Sequence, residues 1–465
     1  MAYCGYVVRV EQLRKHTNAD RLQIATFFGN DTIVGLDVNV GDIGVYFPVD
    51  GQLSERFCQV NNLVRVKDPE TGKNIGGYME PDKRNIKAIK LRGEKSDGLY
   101  MPIVAFTDFC KISDLKVGDT IDVLNGEEIC RKYIPHSNKK VGGGAGKGVG
   151  RAKANIAPTF YEHVDTAQLA YNLAAFKPGD LVQLTLKMHG TSGRTGYLPL
   201  VHTKRTWLDK LFRRHGKDYM EYGYITGTRR VVLSNERHGG FYESDDFRHA
   251  MAAKFEGKLR KGEVVYYEIV GFQGLKGAPI MSEVINSKVK DPEFTKMYGE
   301  KTVFSYGCDP SNGYDGAHYD ETGTLAYFEP CCDVYVYRMT MVNEDGDVVE
   351  YSPDQIKERC EQMGVNVVPE FTRFFVPDHV PGLHGEWVPC DPQAYVVRRV
   401  EEYFDGPDPI GKTHVREGVV ARICNRSKFE VYKHKNFSFK VLEGIAKDEA
   451  TAPDIEEAQE VQDDA

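Results

Sequence analysis

The sequence predicts an α+β protein in which a small β-barrel domain precedes a larger domain of mixed strands and helices. Its first 130 residues contain short alternating runs separated by turn residues, whereas residues 155–446 combine strand and helix patterns. A glycine-rich basic stretch lies between them. The 465 residues are 41% hydrophobic, which is enough apolar material for two or three cores. We therefore expect a barrel domain at 1–130, a linker at 131–154, an α+β domain at 155–446 and an acidic tail at 447–465.

Short strands fill the first segment. Branched and aromatic residues recur in each run, and turns such as GND and VGD separate the runs. Five or so short strands predict a small barrel, for which the oligonucleotide-binding fold, or OB fold, is one candidate. The predicted strands are GYVVRV, LQIATFF, TIVGLDV, GVYFPV and IKAIKLRG.

Charge is unevenly distributed along the chain. The linker RKYIPHSNKKVGGGAGKGVGRAK carries seven basic residues and no acid, which predicts a flexible connection. It is not a P-loop, because Val141 stands where that pattern needs glycine and Gly148 where it needs serine or threonine. The tail holds eight acids and one lysine, so it carries −7 of the net charge of −8. We expect a disordered tail and a nearly neutral body.

Two helices and one basic segment are predicted in the α+β domain. Ser352 as N-cap, Pro353 at the first helical position and Gly364 beyond the end predict a helix over SPDQIKERCEQMG. A second helix is expected over 245–260. The segment KRTWLDKLFRRHGK at 204–217 concentrates cations around apolar residues, which fits a surface for a polyanion or an ordinary solvated face.

The composition also indicates the cellular location of the protein. No run of 18 apolar residues and no signal-peptide pattern is present, and the ten cysteines include no CxxC pair. We therefore expect reduced thiols, no membrane partner and a location in the cytoplasm, and we assume a monomer.

A lysine in the stretch LTLKMHGTSGRTGYL is the first candidate for chemistry. Period-two alternation points Gln183, Thr185 and Lys187 to one face of a strand. Lys187 ends this strand, and Gly190 and Ser192 follow in a polar turn that suits a ribose or a phosphate. A lysine at a strand end is usually a surface residue, so this pattern alone decides nothing.

Further stretches give this lysine its significance. KMHGTSGR resembles motif I of the covalent nucleotidyltransferases. GTRRVVL, VVYYEIVG, DVYVYRM, REGVVARI and VYKHKNFSFKVLEG follow in the order of that superfamily's motifs Ia, III, IIIa, IV and V. The KxHG form of motif I resembles the RNA-ligase branch. Such ligases are frequent in phages, and the expected location is the host cytoplasm if a phage encodes the protein. The expected fold of residues 155–446 is therefore a nucleotidyltransferase domain of the adenylating, DNA/RNA ligase type.

The resemblance implies a role for each matched residue. Lys187 would be the nucleophile that attacks ATP, Glu417 would lie near a bound Mg²⁺ or Mn²⁺ ion, and Tyr337 or Tyr335 would stack on the purine. Arg229, with Arg230 as the alternative, would bind phosphate. The remaining nucleotide contacts are assigned to Met188, His189, Gly190, Ser192, Glu268, Val419, Lys433 and Lys435.

Chemistry explains the cluster of cations. A lysine amine attacks only when it is deprotonated, and its reference pKa is about 10.4, so nearby positive charge must lower the pKa. Alternation places Lys433 and Lys435 on one strand face, roughly 7 Å apart, where both would grip the α-phosphate. Two departures from the family pattern affect nucleotide contacts: Leu186 replaces a common glutamate, and Ser192 replaces the arginine of DNA ligases.

The N-terminal segment carries a second resemblance. HTNADRLQIATFFGNDTIVG, VGDIGVYFPVDG and IKAIKLRGEKSDGLYMPI resemble the N-terminal OB domain of the Deinococcus-type RNA ligases. Together the resemblances imply an ATP-dependent RNA ligase that joins a 5′-phosphate to a 3′-hydroxyl, in RNA repair. The alternatives are a DNA ligase or capping-type enzyme of the same superfamily, or an inactive relative that binds RNA.

Overall fold

The computed structural model describes most of both predicted domains. The linker residues 134–154, the tail residues 448–465 and most of the basic segment at 204–217 lie outside the described residues. The described residues are 3–133, except 18, 68–73, 78, 92 and 93, and 157–447, except 164–165, 205, 208–211, 213–215, 234–245, 274–278, 282–283, 287–288, 290, 303–305, 307–316, 329–330, 344, 383–385, 412 and 444–445.

The chain divides into two compact units. Unit 1 comprises Met1–His136, Lys288–Lys290 and Lys440–Asp454, and unit 2 comprises Ser137–Ser287, Asp291–Phe439 and Ile455–Ala465. No helix in the described part of the chain has both the length and the apolar character needed to cross a membrane.

Unit 1 consists mainly of short strands. All five predicted strands are confirmed: they correspond to β1, β3, β4, β5 and β9. A short helix, α1 (Glu55–Val60), was not predicted, although Ser54 caps it by accepting a hydrogen bond from the Phe57 amide. The strands are β1 (Gly5–Arg9), β2 (Leu13–Lys15), β3 (Leu22–Phe27), β4 (Asn30–Gly35), β5 (Ile43–Phe47), β6 (Gly51–Leu53), β7 (Arg65–Lys67), β8 (Asn74–Gly76), β9 (Ala88–Leu91), β10 (Glu94–Asp97), β11 (Leu99–Pro102), β12 (Thr120–Ile121), β13 (Val123–Leu124), β14 (Glu127–Glu128) and β15 (Cys130–Lys132).

Within its described residues, unit 1 forms several sheets and not one closed barrel. The largest has the order β11-β5-β1-β12, and β2-β3-β4 forms a second sheet. The core between its elements is aromatic: the Phe57 ring lies 5.9 Å from that of Phe47 and 5.0 Å from that of Phe106. The strand-rich domain is thus observed, whereas the OB barrel stays a prediction.

Unit 2 is an α+β domain, as the sequence predicts. Its strands are β16 (Ala167–Gln168), β17 (Leu181–Leu186), β18 (Thr191–Lys204), β19 (Lys217–Gly227), β20 (Glu263–Gly271), β21 (Val284–Ile285), β22 (Lys301–Thr302), β23 (Ala317–Tyr319), β24 (Leu325–Phe328), β25 (Cys332–Val342), β26 (Val348–Glu350), β27 (Asn366–Val367), β28 (Glu370–Phe375), β29 (His379–Pro381), β30 (Trp387–Pro389), β31 (Gly418–Ile423) and β32 (Glu430–Lys435). Its helices are α2 (Asp246–Ala253), α3 (Pro292–Tyr298), α4 (Pro353–Met363) and α5 (Pro392–Glu401). A last helix, α6 (Phe437–Glu443), contains the boundary between the units, and β33 (Ala446–Lys447) pairs with β9 in unit 1.

Two sheets of unit 2 carry the residues discussed below. One has the strand order β16-β32-β31-β17-β28, and the other has the order β19-β18-β20-β25-β26, with β27 paired to β25. Val182 and Leu184 of β17 pack with Val419 and Ala421 of β31 in an apolar core under the first sheet. The second sheet rests on a core that contains Leu198 of β18.

The two predicted helices are both present, with one change of length. Helix α4 is confirmed with a capping box at Ser352 and a left-handed Gly364 at its end. The helix predicted over 245–260 is shorter, since α2 ends at Ala253. Turns follow it, and Gly257 adopts a positive φ of 73° that a helix cannot contain.

Candidate active site

A cavity of about 530 Å³ lies in unit 2. This volume is in the range of pockets that bind small molecules. Residues from β17, β18, β20, β25, β28, β31 and β32 line it, so both large sheets contribute to its walls. Seven of the predicted site residues line this cavity: Lys187, Met188, Ser192, Arg229, Glu268, Tyr337 and Lys433.

Strand β17 positions the candidate nucleophile. The predicted alternation is observed, because Gln183 and Thr185 line the cavity whereas Val182 and Leu184 lie in the core. Lys187 follows directly after the strand, and its backbone N–H donates to the Gly418 carbonyl oxygen at 3.0 Å. This bond holds the end of β17 beside the start of β31.

The Lys187 ammonium forms a buried ion pair. Its Nζ atom lies 2.6 Å from Oε1 of Glu417, and Nζ of Lys435 lies 3.1 Å from the same oxygen. The Glu417 side chain is 0% exposed and that of Lys435 is 5% exposed. Two cations therefore share one carboxylate at the end of the cavity, an arrangement in which each ion offsets the burial cost of the others.

The two lysines of β32 make different contacts. Lys433 pairs with Val420 of β31 and lines the cavity, whereas Lys435 pairs with Gly418 and contacts Glu417. The prediction that both ammonium groups bind the α-phosphate stays a prediction, since Lys435 shares the Glu417 oxygen with Lys187. In this structure Lys433 is the one that reaches the cavity wall.

The opposite wall carries a polar pair beside an aromatic ring. Ser192 Oγ donates to Oε2 of Glu268 at 3.4 Å, and their strands pair at these two residues. Tyr337 lines the cavity next to them, and its neighbour Tyr335 on the same face does not. Burial raises the pKa of the Tyr337 hydroxyl, and the negative charge of Glu268 acts in the same direction. The phenol is therefore neutral.

The structure also distinguishes between the two arginines of GTRRVVL. Arg229 lines the cavity. Arg230 is exposed, and its carbonyl oxygen accepts a hydrogen bond from Nη2 of Arg194 at 3.1 Å. Arg229 is thus the arginine placed to contact a ligand.

Besides Glu417 and Lys435, three predicted contacts do not line the cavity. His189 is fully buried, with its ring 4.7 Å from that of Phe439 in an edge-to-face arrangement. Gly190 allows a close approach, because a Cβ atom there would lie 2.3 Å from the Ile269 carbonyl oxygen. Val419 is 1% exposed and belongs to the apolar core.

The position of Val419 corrects the prediction that it packs on a base. Its neighbour Val420 lines the cavity instead. The prediction extended the alternation of β31 back to Glu417, but Gly418 between them has a φ of +150°. A Cβ atom at Gly418 would lie 2.1 Å from the His434 carbonyl oxygen, so the strand begins with a conformation that breaks the simple alternation.

Known structures share this architecture. A mutant of Naegleria gruberi RNA ligase with AMP and Mn is 13% identical, with a TM-score of 0.52, over 94% of this chain and 97% of that chain. Another mutant with ATP and Mn is 14% identical, with a TM-score of 0.51 over the same shares of both chains. A mutant without ligand is 13% identical, with a TM-score of 0.52, over 95% of this chain and 97% of that chain.

The chain has the fold of an RNA ligase. No family model and no curated protein sequence matches it. Since the identity to these structures is so low, the roles of individual residues are argued from the site itself.

Several polar residues of the cavity were not predicted. Gln183 Nε2 donates to Oε2 of Glu370 at 2.6 Å, and Arg373 contacts Oε1 of the same carboxylate at 2.7 Å. The alternation that led to Lys187 could have identified Gln183, because both lie on one strand face. Glu370 and Arg373 belong to β28, and nothing local in their sequence indicates that β28 pairs with β17.

A histidine beside Tyr337 was also missed. The ring of His163 lies 5.1 Å from that of Tyr337 and 5.5 Å from that of Tyr266, and its Nδ1 atom lies 3.4 Å from Nη1 of Arg338. Burial lowers the pKa of His163 well below its ordinary value, and the charges of Arg338 and Arg229 lower it further. The imidazole is therefore neutral at neutral pH.

Proposed function

We propose that this protein is an ATP-dependent RNA ligase that works through a lysyl-AMP intermediate. The observation that carries the proposal is Lys187, which ends a strand at a nucleotide-sized cavity and contacts a carboxylate shared with a second lysine. The RNA-ligase fold supports the same reading. In the RNA-ligase reaction, AMP passes from the enzyme to an RNA 5′-phosphate, and a 3′-hydroxyl then displaces it.

The first step is nucleophilic attack by the Lys187 amine on the α-phosphorus of ATP. A nitrogen–phosphorus bond forms, the bond between the α-phosphorus and the bridging oxygen breaks, and pyrophosphate leaves with the electron pair. The Lys187 ammonium loses one proton before the attack, and its nitrogen loses a second one as the phosphoramidate forms, so that two protons pass to solvent. Because Lys187 is paired with Glu417, the ion pair has to loosen before the neutral amine can attack, while Lys433 offsets the charge of the phosphate.

Each remaining cavity residue fits one part of the nucleotide. Tyr337 and Val420 stand on walls from different sheets, where an aromatic face and an apolar surface suit the two sides of a base. Glu268, held by Ser192, suits the ribose hydroxyls. Arg229 provides a forked donor for phosphate oxygens.

Glu417 and Glu268 offer the hard oxygen atoms that a divalent cation prefers. Since Glu417 already contacts two ammonium groups, it fits a metal through water better than through direct coordination. Magnesium or manganese, when bound beside the α-phosphate, would supply positive charge that stabilises the phosphate oxygens.

We also propose that unit 1 is an RNA-binding module of the OB type. Its strand-rich architecture and the resemblance of its sequence to such modules support this assignment. The natural function would then be the repair of broken RNA.

The test is formation of the covalent intermediate. Protein freed of bound nucleotide is incubated with Mg²⁺ and α-labelled ATP or GTP, and the intact mass is measured. We expect an AMP adduct with ATP in the wild type and none in Lys187→Ala, whereas the exposed Lys177→Ala control retains it. A GMP adduct would instead indicate a capping-type enzyme, and absence of any adduct would refute the ligase.

The polynucleotide is tested separately with nicked duplexes. Sealing of an RNA 3′-hydroxyl strand but not of its DNA counterpart is expected, because the 2′-hydroxyl distinguishes the two. Equal sealing of an all-DNA nick would favour a DNA ligase.

A further inference from the structure

Strands β18 and β19 form a long hairpin in unit 2. Their register runs without interruption from Arg194 opposite Gly227 to Lys204 opposite Lys217. Only the first part of β18 also pairs with β20, from Thr191 to Gly196. The end of the hairpin therefore extends beyond the part of β18 that also pairs with β20. The proposed adenylation chemistry does not use this end.

The chemistry of this end is distinctive. Residues 204–217 contain six Lys or Arg residues and one acid, in a chain whose net charge is −8. Large rings are exposed in the same segment: Trp207 is 72% exposed and Phe212 is 60% exposed. We define the hairpin surface by its described members His202, Lys204, Trp207, Phe212, Lys217 and Tyr219.

One part of the hairpin surface is already organised for stacking. The rings of His202 and Tyr219 lie 5.5 Å apart at 29°, on strand positions that pair directly. Lys204 and Lys217 form the next pair on the same face. A stacked ring pair beside two ammonium groups combines the features that bind a base and a phosphate.

Between the cavity and the hairpin surface, this face of β18 lies in the core of the second sheet, because Leu198 and Leu200 are buried there. Ser192 lines the cavity, and Lys204 lies an even number of residues further along β18, so both side chains belong to the same face of that strand. At about 3.3 Å per residue, Lys204 lies roughly 40 Å along the strand from Ser192. The hairpin surface is therefore remote from the cavity along this strand, and RNA bound there would be contacted away from the ends held at the cavity.

We propose that the hairpin surface binds the RNA strand away from the joined ends, through phosphate contacts of Lys204 and Lys217 and stacking on Tyr219 and Trp207. Charge complementarity favours RNA over a protein partner, because Lys204 and Lys217 belong to a segment whose sequence carries six cations and one acid, and a polyanion complements that charge. The proposal rests on the proposed function only for the identity of the ligand, since the adenylation step needs no RNA.

The test compares two variants with the same change of charge. Lys204→Gln/Lys217→Gln neutralises the hairpin surface, and Lys177→Gln/Lys296→Gln neutralises two exposed lysines elsewhere in unit 2. Binding of a labelled single-stranded RNA of mixed sequence is measured between about 50 and 200 mM salt. Each lost phosphate contact lowers the salt slope by about 0.7, so the hairpin variant should lose about 1.4 and the control should lose nothing.

A second variant tests stacking. Trp207→Ala should weaken RNA binding by about 5- to 150-fold, the range expected for loss of one stacked base. An unchanged salt slope in the hairpin variant, equal effects in the control variant, or absence of RNA binding by the wild type would each overturn the proposal.

Adenylation without RNA is measured on the same samples. All variants should form the AMP adduct at the wild-type rate, because none of the substituted residues lines the cavity. If the wild type formed no adduct, the proposed ligase function would be refuted. The RNA-binding measurement would still test the proposal for the hairpin surface. A hairpin variant that lost adenylation would contradict the assignment of this surface to RNA alone.

Discussion

At the scale of single residues, the site is organised around a buried carboxylate. Glu417 contacts two lysines through one oxygen atom, and its side chain is inaccessible to solvent. A carboxylate in this position keeps both ammonium groups close to the place where a phosphate would bind. An ion pair favours the protonated form of a lysine, so under the proposed function a bound nucleotide would have to compete with the contact between Lys187 and Glu417.

We predict that Glu417→Gln destabilises the protein and abolishes adenylation. The substitution leaves two buried ammonium groups without their counter-ion, which should cost about 3–5 kcal/mol of unfolding free energy. Denaturant unfolding and adduct formation measure the two effects. Glu430→Gln is the control, because its partially exposed pair with Arg426 should contribute only about 0–1 kcal/mol. Equal stability of the two variants would contradict this account of Glu417.

Two tyrosines on one strand provide a matched test of base stacking. Tyr337 lines the cavity and Tyr335 does not, although both are partly buried in β25. We predict that Tyr337→Ala weakens ATP binding by about 1–3 kcal/mol, whereas Tyr335→Ala leaves it unchanged. Calorimetric titration in a Lys187→Ala background avoids turnover. A larger loss at Tyr335 would show that the base lies elsewhere.

His163 should make the protein sensitive to mild acid. Because burial lowers its pKa in the folded state below the ordinary value of 6.5, the unfolded chain binds a proton more readily. Stability is therefore full above about pH 6.5 and falls as the pH decreases below it, by at most about 1.4 kcal/mol per pH unit. His163→Phe should flatten this profile between about pH 5 and 6.5. A variant profile identical to the wild type would contradict the prediction.

At the scale of elements, local sequence patterns predicted which way side chains point in a regular strand, but not which strands pair. Alternation correctly placed Gln183, Thr185 and Lys187 on one face of β17, because side-chain direction in a regular strand is a local property. It failed at Val419, where the backbone of Gly418 departs from that regularity. Pairing partners such as β28 beside β17 depend on contacts that are distant in sequence, and no local pattern contains them.

Helix α4 is tied to the second sheet by one buried ion pair. Arg359 donates from Nε and Nη2 to the carboxylate of Glu263, which is fully buried at the start of β20 and also accepts from the Tyr351 hydroxyl at 2.9 Å. Burial raises the pKa of Glu263, but the hydrogen bonds from Arg359, the Arg260 backbone N–H and the Tyr351 hydroxyl, together with the charge of Arg359, outweigh this and hold the pKa below the ordinary value.

We predict that Arg359→Leu destabilises the protein by about 3–5 kcal/mol at neutral pH, because it leaves the Glu263 carboxylate buried and unpaired. Chemical denaturation measures the change. Arg373→Leu, which removes an arginine from more exposed pairs with Asp354 and Glu370, is the comparison. The double variant Glu263→Gln/Arg359→Leu should recover part of the loss. No recovery would mean that packing, and not the unpaired charge, causes the effect.

At the scale of the whole molecule, the net charge gives a poor guide to the ligand. The chain is acidic overall, yet its tail holds −7 of that charge, and six of its cations are gathered in residues 204–217. Composition alone therefore predicts neither the cavity nor the hairpin surface. The order of the short motifs predicted the ligase fold, and each of the six motifs contributes a residue to one cavity: Lys187, Arg229, Glu268, Tyr337, Val420 and Lys433.

Because the two units have separate cores, unit 1 serves as an internal reference when ligand binding to unit 2 is measured. ATP at about 100 times its Kd should stabilise the folded form of the unit that binds it by about 2.7 kcal/mol. In the Lys187→Ala variant, we predict that hydrogen exchange slows in β17 and β20, which line the cavity, while β5 in the core of unit 1 exchanges at the same rate. Mass spectrometry of peptides from Leu181–Leu186, Glu263–Gly271 and Ile43–Phe47 measures all three segments in one sample. Slower exchange in β5 alone would place the nucleotide in unit 1 and remove the basis for Lys187 as the nucleophile.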